Sequence, residues 1–322
     1  MADKKIRSVA KTFSWRLFIF IYWVIFGYIF TGSFKGAGIL GLGSIIPIFV
    51  FFMEIVFYKY HGCGNDFVMI DNRNGCFNNY NNEFISKICD RKYGVGADGL
   101  ILVENNNDLD FTMKYFNSDG SEFGMCGNGA RCITKFAKKL GIINNSASFQ
   151  AIDGVHYSEI LDENYVKVKM NDIDMSNYKS IDLTNHNFYL DNGSPHLVIN
   201  SRNITQIDVS NEGKKIRYNK KYSKNGVNVN FIEYNQNDSS CKVRTYERGV
   251  EDETLSCGTG AVAVAIALNY LGIENSNEIK ISMKGGDLLV SFNRNEDRFY
   301  DIWLSGDVCE VYKGKIDESF KR

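Results

Sequence analysis

Two cysteines stand at the start of matching motifs. Cys126 opens Cys-Gly-Asn-Gly-Ala-Arg and Cys257 opens Cys-Gly-Thr-Gly-Ala, 131 positions later (257 minus 126). An apolar, helix-like run follows each motif, so each thiol is predicted to lie at a helix amino terminus, where a thiol pKa falls from ~8.5 to about 3.5–7.5. One sulfur can then act as a thiolate base and the other as a thiol acid. Such a pair, on opposite faces of a carbon atom, suits inversion of a stereocentre by proton transfer.

The first residues of the two helices are candidates for binding an anion. Exposed N–H groups at a helix start bind carboxylates, so Gly127-Asn128 and Gly258-Thr259 are predicted to hold one carboxylate between two helix ends. The same groups stabilise negative charge that develops on the carboxylate side of a carbanion-like transition state. This mechanism requires no cofactor, and we expect none.

The match between the two motifs extends upstream, which indicates a duplicated unit. Asn117 and Arg248 each precede their cysteine by nine residues, and Glu122 and Glu253 by four. Weaker matches lie at residues 94–96 and 226–228, and at 64–68 and 193–198. Repetition at nearly constant spacing is typical of duplication. We therefore expect two similar, pseudo-symmetric domains that face a central cleft.

The rest of the pattern predicts an α+β fold, because short β-rich runs alternate with few helices. The clearest helices are predicted at 82–91, 129–140 and 260–271, and the last two end at Gly141 and Gly272, which suit helix caps. The first domain is assigned to residues 53–172 and the second to 173–305. Residues 306–322 are expected to return to the first domain.

Composition excludes several other classes of function. The net charge is -1, with basic and acidic residues interspersed after residue 60, so no basic surface for nucleic acid is expected. The cysteines form no C-x-x-C pair, and no Cys/His ligand set with zinc spacing occurs, so we expect reduced thiols and no metal.

The first 52 residues differ from the rest and predict a transmembrane helical hairpin. Uncharged runs at 17–30 and 36–53 follow a basic start and are separated by a polar break at 31–36. Each run is short against the ~20 residues of a full span. Basic residues at the amino end place that end, and the catalytic part, in the cytoplasm, tethered to the inner face of the membrane. A secretory signal peptide is the alternative, but it lacks a cleavage site.

Two further features concern this segment. Residues 7–16, Arg-Ser-Val-Ala-Lys-Thr-Phe-Ser-Trp-Arg, resemble the opening of a family of small, uncharacterised two-span membrane proteins. A strand-like alternation begins at Met53 without a linker. Both a catalytic body close to the bilayer and a fusion upstream of Met53 therefore stay open.

From about Glu54 to the C-terminus, the chain resembles the diaminopimelate epimerase family. The motifs that carry the resemblance lie at residues 61–67, 94–99, 116–122, 126–132, 246–249 and 257–260. The resemblance implies cofactor-free interconversion of LL- and meso-diaminopimelate, a step toward lysine and peptidoglycan. It also implies that two domains close over the substrate.

The same resemblance implies roles for individual residues. Cys126 and Cys257 would be the acid/base pair, with His196 and Glu247 tuning them. The residues that would bind the distal amino-acid end of the substrate are Asn65, Asn117, Asn228, Glu247 and Arg248. An arginine suits a carboxylate bidentately, and a glutamate with asparagine oxygens suits an ammonium. Gly127, Asn128, Gly258 and Thr259 would bind the reacting carboxylate.

Two positions depart from the family pattern. Many members have glutamine where Gly99 stands and asparagine where Ser194 stands, so the contacts at these positions are open. Serine keeps a hydroxyl donor and acceptor but is shorter than asparagine.

Three other functions compete with epimerisation of diaminopimelate. A proline or hydroxyproline racemase uses the same two-thiol chemistry, but its substrate has no second amino-acid end for the asparagines and arginine to bind. A thiol redox protein is disfavoured by the 131-residue separation and the missing C-x-x-C. An inactive scaffold is distinguished only by assay, and a homodimer stays open.

Overall fold

The computed structural model describes residues 21–22, 24–26, 28–29, 32, 55–78, 80–177, 187–235, 239–317 and 320. In the N-terminal part, residues 21–22, 24–26 and 28–29 are helical. The rest of the predicted hairpin at 1–52 lies outside the described residues, so the hairpin stays a prediction. Among the residues that are described, no helix has the length and hydropathy needed to cross a membrane.

The catalytic part consists of seventeen strands and four helices in the described ranges, together with short 3-10 turns. The strands are β1 (Ile55–Gly62), β2 (Asn65–Asp71), β3 (Gly99–Glu104), β4 (Phe111–Asn117), β5 (Glu122–Phe123), β6 (Ser146–Ala151), β7 (Gly154–Ile160), β8 (Tyr165–Lys169), β9 (Ile173–Asp174), β10 (Asn187–Asp191), β11 (Pro195–Asn200), β12 (Asn228–Asn235), β13 (Ser240–Glu247), β14 (Asp252–Thr254), β15 (Glu278–Met283), β16 (Gly286–Asn295) and β17 (Arg298–Ile316). The helices are α1 (Asn82–Cys89), α2 (Gly127–Lys139), α3 (Val209–Arg217) and α4 (Gly258–Tyr270).

The first half is a closed ring of strands around α2. Antiparallel β1 and β2 lead to β3, which is parallel to β2, and then to antiparallel β4. β4 pairs in parallel with β6, and β7, β8 and β17 follow with antiparallel pairings. A pairing of β17 with β1 closes the ring. Helix α2 contacts β2, β3, β7, β8 and β17 and therefore fills the ring.

The second half repeats this order. β10 and β11 are antiparallel, β12 is parallel to β11, and β13 is antiparallel to β12. β13 then pairs in parallel with β15, which leads through antiparallel pairings to β16 and β17. Helix α4 contacts β10, β11, β12, β15, β16 and β17, which are strands from both ends of this series. The predicted α+β fold with two similar domains is thus confirmed.

One long strand serves both halves. The first part of β17 pairs with β16 of the second half, while Trp303 to Asp307 also pair with β8 of the first half. The strand continues to Ile316 and pairs with β1. The two halves are therefore joined by shared backbone hydrogen bonds as well as by side-chain packing.

The central helices differ in how they are buried. Every residue of α4 from Gly260 to Asn269 is buried, as expected for a helix that is apolar all round. Helix α2 is amphipathic instead, because its lysines at 135, 138 and 139 point away from the core. The second half thus encloses its helix more completely than the first.

Candidate active site

The two thiols occupy the N-cap positions of α2 and α4. The helices begin at Gly127 and Gly258, two residues earlier than the sequence predicts, because the glycine after each cysteine already has helical geometry. A Cβ atom placed on Gly127 or Gly258 would lie only 3.1 or 2.9 Å from Leu304 Cδ2 of β17. The Cβ position of Gly258 is also 3.8 Å from Gly127 Cα. Glycine at both positions therefore lets the two helix starts meet.

The first N–H groups of these two helices differ from those of the other helices. In α1 and α3, the side chains of Asn81 and Asp208 cap the helix by accepting from Phe84 N and Asn211 N. Neither Cys126 nor Cys257 makes a side-chain capping hydrogen bond. Since a helix start leaves N–H donors without intrahelical partners, both helices offer donors to an anion.

Amides surround Cys126. Its Sγ lies 3.7 Å from Asn65 Oδ1, and Asn128 Nδ2 donates to the same oxygen at 3.2 Å. Asn128 Nδ2 also lies 3.4 Å from the Ser256 carbonyl oxygen in the other half. Asn65 Nδ2 in turn donates to Asp98 Oδ2 at 2.7 Å. The structure therefore brings the predicted site residues Cys126, Asn65 and Asn128 together, and it adds Asp98, which holds the Asn65 amide with its oxygen toward the thiol.

The Cys257 thiol is connected to a histidine through the hydroxyl group of Thr259. Its Sγ is 3.7 Å from Thr259 Oγ1, which is 2.9 Å from His196 Nε2. Asn230 Nδ2 lies 3.2 Å from His196 Nδ1. Since an amide NH₂ can only donate, Nδ1 accepts and Nε2 carries the proton that is donated to Thr259. Burial, with Arg248 nearby, lowers the pKa of His196 to about 3, so its ring is neutral.

The pKa of both thiols is raised. Burial raises the pKa of Cys126 and of Cys257, and the charge of Glu247 acts in the same direction on both. The N–H groups of Asn128 and Gly129 lower the pKa of Cys126, and that of Gly260 lowers the pKa of Cys257. The expected net lowering of the thiol pKa at a helix start is therefore wrong, because desolvation of the thiolate outweighs the backbone donors.

Glu247 lies at the end of β13, and its charge acts on both thiols. Thr254 Oγ1 donates to Glu247 Oε2 at 2.9 Å. Burial raises the pKa of Glu247, the Thr254 hydrogen bond lowers it, and the charge of Asp98 raises it again. A single carboxyl group thus acts on both sulfurs.

The remaining predicted residues of the second half form one cluster. Asn228 Nδ2 donates to Ser194 Oγ at 2.9 Å and to the Pro195 carbonyl at 3.1 Å. Asn228 Oδ1 accepts from Arg248 N at 2.8 Å, and Arg248 Nη1 donates to the Asn225 carbonyl at 2.9 Å. The serine hydroxyl at 194 therefore helps to fix the Asn228 amide.

Asn117 and Gly99 lie opposite each other on neighbouring strands of the first half. Asn117 Nδ2 is 3.4 Å from Ser121 Oγ. A Cβ atom on Gly99 would lie 2.5 Å from both the Phe116 carbonyl oxygen and Tyr115 Cε2, so no side chain fits there. Burial and the nearby Cys126 and Glu247 raise the pKa of Tyr115. Sequence reasoning missed Tyr115, for which the alternation of buried residues along β4 was the only available signal.

Two similar domains that bring paired thiols to abutting helix starts define a class of isomerases. The family model for diaminopimelate epimerase matches residues 57–175 and 188–308. Diaminopimelate epimerase of Flavobacterium psychrophilum is 48% identical over 259 residues, which cover 80% of this chain and 99% of that protein. The enzyme of the same name from Chlorobaculum tepidum is 42% identical over 261 residues, covering 79% of this chain and 98% of that protein. The chain belongs to the diaminopimelate epimerase family.

Solved structures share the fold at low sequence identity. A Bacillus anthracis phenazine biosynthesis protein of the PhzF family superposes with a TM-score of 0.62 at 14% identity, covering 83% of this chain and all of that one (100%). A probable proline racemase from Agrobacterium radiobacter superposes with a TM-score of 0.58 at 13% identity, covering 82% of this chain and 93% of that one. At these identities the likeness concerns the fold alone.

Proposed function

We propose that this chain interconverts LL- and meso-2,6-diaminopimelate, in the biosynthesis of lysine and peptidoglycan precursors, with Cys126 and Cys257 as the acid/base pair. The observation that carries the proposal is the meeting of two uncapped helix starts, each with a thiol at its N-cap. One sulfur removes the α-proton from one face of the substrate, and the other delivers a proton to the opposite face. In the reverse direction the two sulfurs exchange roles.

The reacting carboxylate binds to the N–H donors of Gly127-Asn128 and Gly258-Thr259. These donors come from both halves, and Leu304 packs against both helix starts. A carboxylate held there places its α-carbon between the two N-cap sulfurs. The same donors stabilise the negative charge that the carboxylate gains as the proton leaves. Bound substrate also excludes water and supplies the α-proton that the thiolate removes.

The distal amino-acid end binds to the cluster around Arg248, with Asn65, Asn117, Asn228 and Glu247. Among the described residues no carboxylate lies within ion-pair distance of Arg248, whose guanidinium is held by a backbone carbonyl. A half-buried arginine with this environment suits a substrate carboxylate. Glu247 and the asparagine oxygens suit the distal ammonium. In the same scheme, His196 acts on Cys257 through Thr259, and Glu247 raises the pKa of both thiols.

Several features of the whole chain stay part of the proposal. The domain division at 53–172, 173–305 and 306–322 is supported by the pairing of β17 with β8 and β1. Attachment of residues 1–52 to the inner face of the membrane, with the catalytic part in the cytoplasm, rests on the charge pattern of that segment. A reaction without a cofactor and a homodimer are also part of the proposal.

The test uses the full chain, purified under reducing conditions without pyridoxal phosphate. LL-diaminopimelate is incubated with it in deuterated water, and both stereoinversion and deuterium at the α-carbon are followed. Inversion with solvent deuterium supports the two-base reaction. No inversion, or inversion without deuterium, would contradict it. Proline is the control substrate, because it has no distal end for Arg248 to bind, and its turnover in place of diaminopimelate would favour the racemase alternative.

A further inference from the structure

The two central helices carry different residues at the same distance from their cysteines. Arg131 follows Cys126 by five residues in α2, and Val262 follows Cys257 by five in α4. Both side chains are buried, Arg131 completely (0% exposed) and Val262 almost so (1%). The two thiols therefore have the same backbone frame, but only one of them has a buried cation on its own helix.

The Arg131 guanidinium lies against the start of α2. Nη2 donates to Asn128 Oδ1 at 2.8 Å and lies 3.7 Å from Cys63 Sγ, and Nη1 lies 3.4 Å from the Gly127 carbonyl oxygen. Two glycines make room for this group. A Cβ atom on Gly62 or Gly306 would lie 3.4 or 3.3 Å from Nη2.

This cation has no carboxylate partner in the part of the chain that the structure describes. Within the described ranges, no acidic oxygen lies at ion-pair distance from Arg131, and its buried Nε has no hydrogen-bond partner. A buried charge without a counter-charge is costly, and in a low-dielectric interior it acts strongly on any anion nearby. Two residues that Arg131 contacts, Gly127 and Asn128, form the start of α2, whose N-cap is Cys126.

The other charged or titratable groups do not distinguish the two thiols in this way. Glu247 of β13 disfavours a thiolate at both sulfurs, and the charge of Cys126 disfavours a thiolate at Cys257. Tyr115 of β4 is a neutral phenol beside Cys126, and His196 of β11 is a neutral imidazole beside Thr259. Asn65 and Thr259, the remaining polar neighbours of the two sulfurs, carry no charge.

Two further thiols lie near Arg131 but are poorer sites for a negative charge. Cys63 and Cys132 are buried, and burial raises the pKa of each. Cys63 lies in the turn between β1 and β2, and Cys132 lies inside α2, so neither is the N-cap of a helix. Cys126 therefore combines the cation with the helix amino terminus.

We propose that Arg131 makes the two catalytic thiols unequal, so that Cys126 gives up its proton at lower pH than Cys257. The assignment of these thiols as the acid/base pair rests on the proposed function. Arg131 is a positioning residue here. It fixes the Asn128 amide through Oδ1 and acts on Cys126 by its charge, without touching the substrate.

The test measures the ionisation of each thiol directly. The full chain is alkylated with iodoacetamide over a range of pH, and the rate at Cys126 and Cys257 is followed separately by mass spectrometry of their peptides. In the unsubstituted protein we expect the reactivity of Cys126 to rise at lower pH than that of Cys257. Equal midpoints, or an earlier rise at Cys257, would overturn the proposal without any substitution.

Two substitutions then separate the charge of Arg131 from its packing. Arg131→Met keeps an unbranched side chain but removes the charge, and we expect the midpoint of Cys126 to rise by about one pH unit, a tenfold lower rate on the acid side. Arg131→Lys keeps the charge and is expected to stay within a few tenths of a unit of the parent. Val262→Met is the matched control in α4, with no shift at Cys126. An unchanged Cys126 profile in a folded Arg131→Met protein would also overturn the proposal.

The alkylation experiment contains no substrate, so it is independent of the proposed reaction. If diaminopimelate is not turned over but Cys126 ionises first through Arg131, the proposed substrate fails and this inference stands. If inversion occurs but the two thiols ionise alike, the epimerase assignment stands and the role of Arg131 is withdrawn.

Discussion

The two halves of the catalytic part have the same backbone order but different side chains at their centres. Each half runs through the same sequence of antiparallel and parallel pairings around a helix with a cysteine N-cap. Around Cys126 the neighbours are amides and a buried arginine, whereas around Cys257 they are a hydroxyl and a neutral histidine.

This difference corresponds to what an epimerase must do. Inversion needs two acid/base groups in equivalent positions, which a duplicated backbone supplies. Once the substrate is bound, its reacting end and its distal end meet different groups, so the side chains of the two halves must differ. In the proposed reaction, the duplicated backbone positions the two thiols, and the differing side chains bind the two ends of the substrate and set which thiol ionises first.

The largest expected effect comes from removing either member of the equivalent pair. Cys126→Ala and Cys257→Ala should each lower the rate of inversion by at least about 10³-fold, because one face of the α-carbon then lacks its acid or base. Inversion of LL-diaminopimelate is measured, with circular dichroism to verify the fold. Cys309→Ala changes an exposed thiol of β17 and is expected to leave the rate unchanged. Normal turnover by either alanine variant would contradict the equivalence of the two sulfurs.

The next largest effect is on substrate binding, and it differs between Arg248 and Asn117, the residues nine positions before each cysteine. Arg248→Ala should raise KM by at least about 30-fold, since losing a charged partner costs about 2 kcal/mol or more. Asn117→Ala in the first half should cost only about 1 kcal/mol, the value of a neutral hydrogen bond. Steady-state kinetics with diaminopimelate measures both, and Arg73→Ala, at the surface, serves as the control. A larger loss for Asn117→Ala would reverse the assignment of the distal end.

A smaller effect concerns the hydroxyl that only the second half has. Thr259→Val should lower kcat by roughly fivefold, about 1 kcal/mol for one hydrogen bond. Because the Thr259 hydrogen bond lowers the pKa of Cys257, the ionisation of Cys257 should move to higher pH. The pH dependence of kcat/KM tests this, with Thr205→Val at an exposed position as the control. An unchanged ionisation limb would show that Thr259 does not act on the sulfur.

The smallest effect at neutral pH concerns the free energy of unfolding. Asp66 and His196, the second residues of β2 and β11, are expected to change its pH dependence in different ranges. Burial lowers the pKa of His196 from 6.5 to about 3, so the unfolded chain binds the extra proton between these values. Stability conferred by the neutral ring is complete above pH 6.5 and falls as the pH drops toward 3, by up to about 1.4 kcal/mol per pH unit. Urea unfolding over this range should show a shallower slope for His196→Asn, and an identical slope would contradict burial of the neutral ring.

Asp66 provides the contrast in the first half. Although burial raises its pKa, hydrogen bonds from Arg91 and Lys59 lower it from 3.8 to about 2. Its contribution is therefore present above pH 3.8 and is lost as the pH falls toward 2. Asp66→Asn should leave the slope of the unfolding free energy against pH unchanged between pH 6.5 and 4. The same urea experiment therefore distinguishes His196 of the second half from Asp66 of the first.

Much of the site could be predicted because its signals are local. Glycines after a cysteine and before an apolar run predicted both helix starts to within two residues, and the spacing of 131 predicted their equivalence. The roles of Tyr115, Asp98 and Arg131 could not be found in this way. Their partners, Gly99, Asn65 and Asn128, are recognised only when strands and helices pack together.

The sequence by itself determined that the chain is a duplicated α+β fold with a thiol at the start of each central helix. These features follow from short-range rules of turn chemistry and periodicity. The tertiary structure alone decided how β17 joins the halves, which side chains lose their water, and therefore that the pKa of both thiols is raised rather than lowered. Desolvation depends on every element packed around a group, and no local pattern of residues contains that information.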